Sequence, residues 1–316
     1  MPEMEADEDD SPEIEEKIEA EMAEVEEVAE VEEEDVEAED DDEWVEDDPS
    51  GNLQLYTPSS MLSWGQFDVK FFQQIYSQTA FFDPDGNSVD HGARYTYYSG
   101  IGNVVLGVNQ RWNFGVDFWV QSVLFDPDSG SPFKVLGFPN AGPNARTALT
   151  AVGPKVKFQP ISSLNNFTIQ SSFLIPVASD PEARMNGEQF LATENFLWWT
   201  QVFYTHNFNT KLQLFGEIDF YANLNRGDGN GFFATPISYF FSYFPTSKIT
   251  LYVTNQFWPT WGDGLFSSYW FQAGVGGKYQ FTKSLDLEVS YGRFLFGRNA
   301  AGPAQAFNLG LRFVKW

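Results

Sequence analysis

Gln305-Ala-Phe-Asn-Leu-Gly-Leu-Arg-Phe-Val-Lys-Trp316 ends the chain in alternation. Phe307, Leu309, Leu311 and Phe313 fall on every second position, with Asn308, Gly310 and Arg312 between them. A period of two belongs to a strand with one apolar and one polar face. Trp316 is out of phase with Phe313, so Val314 to Trp316 are expected past the strand's end. A soluble β-domain can also finish on such a strand. What decides the fold is whether the preceding chain needs a closed sheet.

The same alternation recurs upstream. In Trp112–Phe125, one face carries Phe114, Val116, Phe118, Val120 and Leu124, and the other carries Asn113, Gly115, Asp117 and Gln121, with Trp119 among them. Phe167–Val177, Leu212–Ala222 and Leu285–Tyr291 repeat the pattern. The body reads as twelve strands, near 66–79, 94–108, 112–125, 147–159, 167–177, 195–206, 211–222, 232–243, 249–258, 268–281, 285–296 and 304–314. Most have about the length of a tilted membrane-spanning strand, roughly 9–11 residues. Pro154 falls inside the fourth, where it cannot donate to a ladder, so a bulge or a shorter strand is expected there. The sixth is apolar on both faces, which leaves its facing open.

The connections carry more information than the strands. Five are short: 109–111, 160–166, 207–210, 244–248 and 282–284. Six are longer or rich in Gly, Pro and Asp: 80–93, 126–146, 178–194, 223–231, 259–267 and 297–303. The two kinds alternate from first to last, with short turns at one end of the sheet and longer loops at the other. That is the layout of a transmembrane barrel, whereas a soluble sandwich with Greek-key crossovers has no reason to alternate loop length. In lipid no backbone N–H or C=O can be left unpaired, so the sheet must close, the last strand pairing with the first near Gln66–Gln78. The fold class expected is all-β: a transmembrane antiparallel up-and-down β-barrel of about 12 strands over residues 61–316. An acidic low-complexity tail and linker, residues 1–60, precedes it.

Composition agrees. Net charge is −27, but residues 1–50 hold 28 of the 45 acidic residues and one of the 18 basic ones. That leaves 17 of each sign in the body, so the low isoelectric point describes the tail alone. Such a tail cannot bury enough apolar surface to offset its ordering entropy and is expected to be disordered. A docking arm for a basic partner or for divalent cations is the sharper reading. There is no cysteine, hence no disulfide or thiol chemistry. Aromatics reach 17% of the chain, with 32 Phe, 13 Tyr and 10 Trp, a load that suits the apolar band and interfacial girdles of a barrel in lipid. Trp64, Tyr95, Tyr97, Tyr98, Trp112, Trp198, Trp199, Tyr239, Tyr243, Trp258, Trp261 and Trp270 gather near strand ends and are expected in those girdles. No apolar run is long enough for a transmembrane helix. The N-terminus lacks a basic segment and an apolar core, so the chain is expected to be a mature form or to begin downstream of its export signal.

The terminal strand, with Asn308, Gly310, Phe313 and Trp316, is similar to the C-terminal assembly signal of bacterial outer-membrane β-barrels. Gly102-Asn-Val-Val-Leu-Gly-Val-Asn109 and Gly276-Gly-Lys-Tyr-Gln-Phe-Thr-Lys283 resemble hairpins of Gram-negative outer-membrane proteins, in tone those of transporter-like barrels from Bacteroidota. The resemblance covers the body and not the tail. It implies a bacterial outer-membrane location; the even strand count then puts both termini on the short-turn, periplasmic side, with the long loops extracellular. It also implies contact with outer-membrane lipids and recognition of the last strand by the barrel assembly machinery, while the tail is offered to a periplasmic partner.

With the apolar face toward lipid, the polar face lines a lumen. Its candidate lining residues are Asp68, Lys70, Asp117, Lys155, Lys157, Glu217, Asp219, Lys278, Asp286, Glu288 and Arg312. Both signs occur, so these residues form either a polarised pore wall or an internal network of ion pairs. Twelve strands leave room for a narrow solute path. The functional expectation is therefore a narrow channel or transporter for small solutes. The alternative is a non-transporting anchor or accessory subunit that recruits a partner through its tail or long loops. No catalytic residue, metal site or cofactor is expected. His91 and His206 fall at opposite ends of the barrel and cannot form one site, and a lipid hydrolase would need a nucleophile that no motif near His91, Ser88 or Ser99 marks. Asp83-Pro-Asp-Gly-Asn87 and Asp126-Pro-Asp-Ser-Gly130 fall short of calcium loops and read as turn chemistry. No basic, aromatic-lined groove suggests nucleic acid.

Overall fold

The computed structural model describes residues 58–316 except 141, 185–187, 226–230, 263 and 316. The acidic tail of residues 1–50 and Trp316 lie outside the described residues. Fourteen strand segments make one antiparallel sheet: β1 Phe67–Phe82, β2 Ser88–Asn109, β3 Trp112–Asp126, β4 Ala145–Phe158, β5 Phe167–Pro176, β6 Phe196–Asn207, β7 Leu212–Leu224, β8 Phe232–Ala234, β9 Ile237–Tyr243, β10 Ile249–Gly262, β11 Gly264–Thr282, β12 Leu285–Arg298, β13 Ala300–Ala301 and β14 Gln305–Lys315. β8 and β9 both lie between β7 and β10 and form one stave broken before Pro236, while β13 adds two residues to the far end of β1. The barrel thus has twelve staves.

Closure is direct. β14 pairs with β1 from Phe67 opposite Lys315 to Ser77 opposite Gln305, which leaves neither strand an open edge. β14 runs on to Lys315, so Val314 and Lys315 belong to the strand rather than lying past it. Val314 is inward and buried against Leu62 and Val105.

Parity resolves the two irregular strands. In β6, Leu197, Gln201, Phe203 and Thr205 are buried on the inner face, while Trp198 and Tyr204 are exposed on the outer one. In β4, an extra residue, Thr150, bulges opposite Trp119 and Val120 and bonds the Trp119 carbonyl. Beyond it, the β4–β5 ladder skips Gly153 and Pro154. The ring that cannot donate therefore sits where no donor is needed.

Two of the longer connections prove to be strand. β1 and β2 run on to a tight turn at Asp83–Asn87, and β10 and β11 run on to residue 263. In the first turn Asp83 accepts from the backbone N–H groups of Asp85 and Asn87 at 2.9 and 2.8 Å. These donors, that of Asn87 foremost, hold its carboxyl below the usual carboxylate range. Gly86 takes the left-handed conformation the turn needs. The connection after β3 contains a 3-10 turn, Pro132–Gly137, whose Val135 is fully buried against the outward-facing Ile75 and Tyr98. This segment folds over the outer wall of β1–β3.

Candidate functional site

The lumen is a cavity of about 1210 Å³. It has three levels between the short-turn end and the long-connection end.

The first level is a strap. Residues 58–66 cross the short-turn mouth before entering β1. Gly65 and Gln66 bond the backbone of Gly107, and a Cβ at Gly107 would lie 1.9 Å from the Ser63 carbonyl oxygen, so only glycine admits the strap there. Leu62 packs on Val105 and Val314, and its carbonyl accepts from Asn113 Nδ2 at 3.2 Å. Lys157 Nζ donates to the carbonyls of Pro58 and Ser60, the latter at 2.5 Å. Ser59 Oγ meets Thr205 Oγ1 of β6 at 2.8 Å, both groups buried. From β1 to β6 is nearly half the barrel's circumference, so the strap spans the mouth. No periodicity marks this segment, and it was not legible in the sequence.

The second level is charged. Of the eleven residues expected on the inner face, Lys70, Lys155, Glu217, Asp219 and Glu288 line the cavity. The other six share their inward parity. Arg312 grips Asp68 with Nε and Nη2 at 3.0–3.2 Å, and Lys70 adds a contact at 3.3 Å. Lys155 Nζ lies 2.7 Å from Asp117, whose other oxygen accepts from Ser172 at 2.6 Å. Lys278 pairs with Glu288 at 3.3 Å, and Tyr252 also donates to Glu288. Asp286 stands opposite Arg312 and Gln280 in register. On this side every carboxylate has a cation near it. Glu217 and Asp219 on β7 are different. Glu217 accepts from Gln201 Nε2 at 2.5 Å, and Gln201 in turn accepts from Gln170 at 2.8 Å. Asp219 is 3% exposed and its Oδ1 has no hydrogen-bond partner among the described residues. The two carboxyl groups hydrogen-bond to each other, and Asp219 also reaches Gln201 and Trp199; none of these partners is a cation.

The third level is aromatic. Rings from eight strands follow one another around the lumen: Trp119–Trp199 at 6.0 Å, Trp199–Tyr221 at 6.3 Å, Tyr221–Trp258 at 5.5 Å, Trp258–Trp270 at 5.4 Å, Trp270–Phe294 at 4.4 Å, Phe294–Tyr76 at 5.4 Å and Tyr76–Tyr97 at 5.9 Å. Along β1, β3, β7, β11 and β12 the charged residues lie nearer the short-turn end and the rings beyond them. This collar corrects the girdle expectation. Trp199, Trp258 and Trp270 line the cavity and Tyr97 stands beside the inward Tyr76, while Trp112, Trp198, Tyr239 and Tyr243 are exposed on the outer wall. Composition alone cannot divide aromatics between the two faces, because both a lipid band and a lumen collar want them. His91 packs between Phe81 and Tyr95, and His206 packs on Phe208.

No family model matches the chain, and no curated protein matches it. Among solved structures, the COG4313 outer membrane channel from Pseudomonas putida F1 superposes with a TM-score of 0.55 at 15% identity, covering 82% of this chain and 97% of that one. The fold is that of a bacterial outer-membrane β-barrel. Weaker likenesses are the beta domain of the Bordetella autotransporter BrkA (TM-score 0.49, 10% identity, 78% of this chain and 98% of that one) and the NanC porin (0.43, 11%, 78% and 98%).

Proposed function

We propose that this protein is an outer-membrane channel for small solutes. Its short-turn end and both termini are periplasmic, its long connections extracellular, and residues 1–60 form a tail and linker to the barrel of residues 61–316. The observation that carries the reading is the lumen itself. A cavity of about 1210 Å³ passes from an aromatic collar to a charged layer. It is crossed at one mouth by a strap held mainly through polar contacts rather than filled by a packed apolar plug. A barrel serving only as an anchor has no need of such a cavity. That the channel from Pseudomonas putida F1 shares the fold supports the reading. The inner-face residues, from Asp68 to Arg312, are the wall that a solute meets. Outer-membrane lipids surround the barrel, the assembly machinery reads β14, and the tail is available to a periplasmic partner.

The test is permeation into liposomes carrying the full chain. We expect slow passage of small sugars and amino acids, and faster passage with Lys157→Met, which releases the Pro58 and Ser60 carbonyls of the strap. Impermeable liposomes with both folded proteins would exclude a channel.

A further inference from the structure

One wall of the lumen holds two buried carboxyl groups for which the protein supplies no cation. Glu217 and Asp219 project inward from β7, two residues apart, and their carboxyl groups meet in a side-chain hydrogen bond. Beside them on β6 is Gln201, opposite Asp219 in register. Asp219 lines the cavity, is almost wholly buried, and leaves Oδ1 without a partner among the described residues. A buried carboxylate oxygen without a donor is costly unless a ligand or ion supplies one. One step further along the same two strands stand Trp199 and Tyr221, opposite each other in register, and Trp258 of β10 packs edge-on to Tyr221 at 5.5 Å.

We propose that this wall binds an organic ammonium: the charged nitrogen sits on the lumen side of the Glu217–Asp219 carboxyl pair, taking the place of the proton they share, and its carbon substituents lie against Trp199, Tyr221 and Trp258. The inference rests on the channel reading, in which this wall is the selective station on the solute's path. Two kinds of group converge here, and each restricts the occupant. Carboxylates attract any cation, while ring faces attract a cation that carries apolar surface and little hydration. A divalent metal fits poorly, since it wants six or more oxygens and the described residues contain no cluster of three or more acidic or imidazole side chains. An anion finds no cation on this wall to hold it. A neutral aromatic gains the rings but leaves Asp219 Oδ1 as it is. The opposite wall sharpens the contrast, because Asp68, Asp117 and Glu288 each already hold a lysine or arginine. The protein can therefore supply internal cations, and at Glu217 and Asp219 it supplies none.

The experiment is calorimetric titration of the full-length protein in detergent with benzylammonium, benzyl alcohol and phenylacetate, probes of similar size and different charge. Benzylammonium is expected to bind at least about tenfold more tightly than benzyl alcohol, with phenylacetate weakest. Glu217→Gln with Asp219→Asn is expected to abolish the preference, and Trp258→Ala to weaken the ammonium by about threefold to tenfold. A compact band that shifts on boiling, expected of a folded barrel, checks by gel electrophoresis that each variant is folded. Equal binding of benzylammonium and benzyl alcohol to the unaltered protein would overturn the proposal without any variant, as would displacement of benzylammonium by millimolar calcium but not by other alkylammonium ions. Binding without permeation in liposomes would leave the site standing and remove the channel. Permeation without charge preference would do the reverse.

Discussion

The two sides of the charged layer use the same residue types to opposite ends. Toward β1, β3, β4 and β14, carboxylates and cations are matched at 2.7–3.3 Å: Asp68 with Arg312 and Lys70, Asp117 with Lys155. Toward β6 and β7, Glu217 and Asp219 face the lumen with amides and an indole for company. A buried ion pair tied on both sides is part of the wall, since removing one partner strands the other charge. A buried pair of carboxyl groups with no cation adds no ion pair to the wall and is better explained by what it meets. Burial and charge alone do not separate structural from functional residues in a lumen. What separates them is whether each charge is already answered.

The largest expected effect lies on the matched side. Asp117→Asn leaves Lys155, 7% exposed, without its counterion, and should lower stability by about 3–5 kcal/mol, read as an earlier urea midpoint for the heat-modifiable band. The unmatched side should respond with the opposite sign. Glu217→Gln with Asp219→Asn should leave stability unchanged or raise it by about 1–2 kcal/mol, because two buried acids become amides. If that pair costs as much as Asp117→Asn, the two walls are alike and the comparison fails. The smallest effect is expected at Pro154→Ala, within about 0.5 kcal/mol, since the ladder gap at Gly153 and Pro154 already omits the bond that proline cannot make. A shift of several kcal/mol there would mean that the gap is not what accommodates the proline.

Much of the barrel was legible beforehand, and the reasons are local. Alternation assigned Phe307, Leu309, Leu311 and Phe313 to one face and Asn308, Gly310 and Arg312 to the other, and pairing with β1 keeps that division. The alternation of turn lengths ordered the staves because each strand of an up-and-down barrel pairs with its neighbours in sequence. Strand six resisted because Phe196 to Trp199 are all apolar and give no phase. The end of β14 was drawn too short because Val314 faces inward yet is apolar. Its partner is Leu62 of the strap, not lipid.

By itself, the sequence determined the all-β class, the number of staves, the closing strand and the inner parity of eleven charged residues. Each of these follows from a period of two and from turn chemistry, which act between neighbours along the chain. Only the tertiary structure decided which aromatics form the collar, where residues 58–66 run, and which carboxylates find a cation. Those outcomes depend on groups from strands far apart in sequence meeting across a closed lumen. Lys157 reaches Pro58, Ser59 reaches Thr205 and Arg312 reaches Asp68 because closure brings them together, and no local pattern encodes the partner on the far side of a ring.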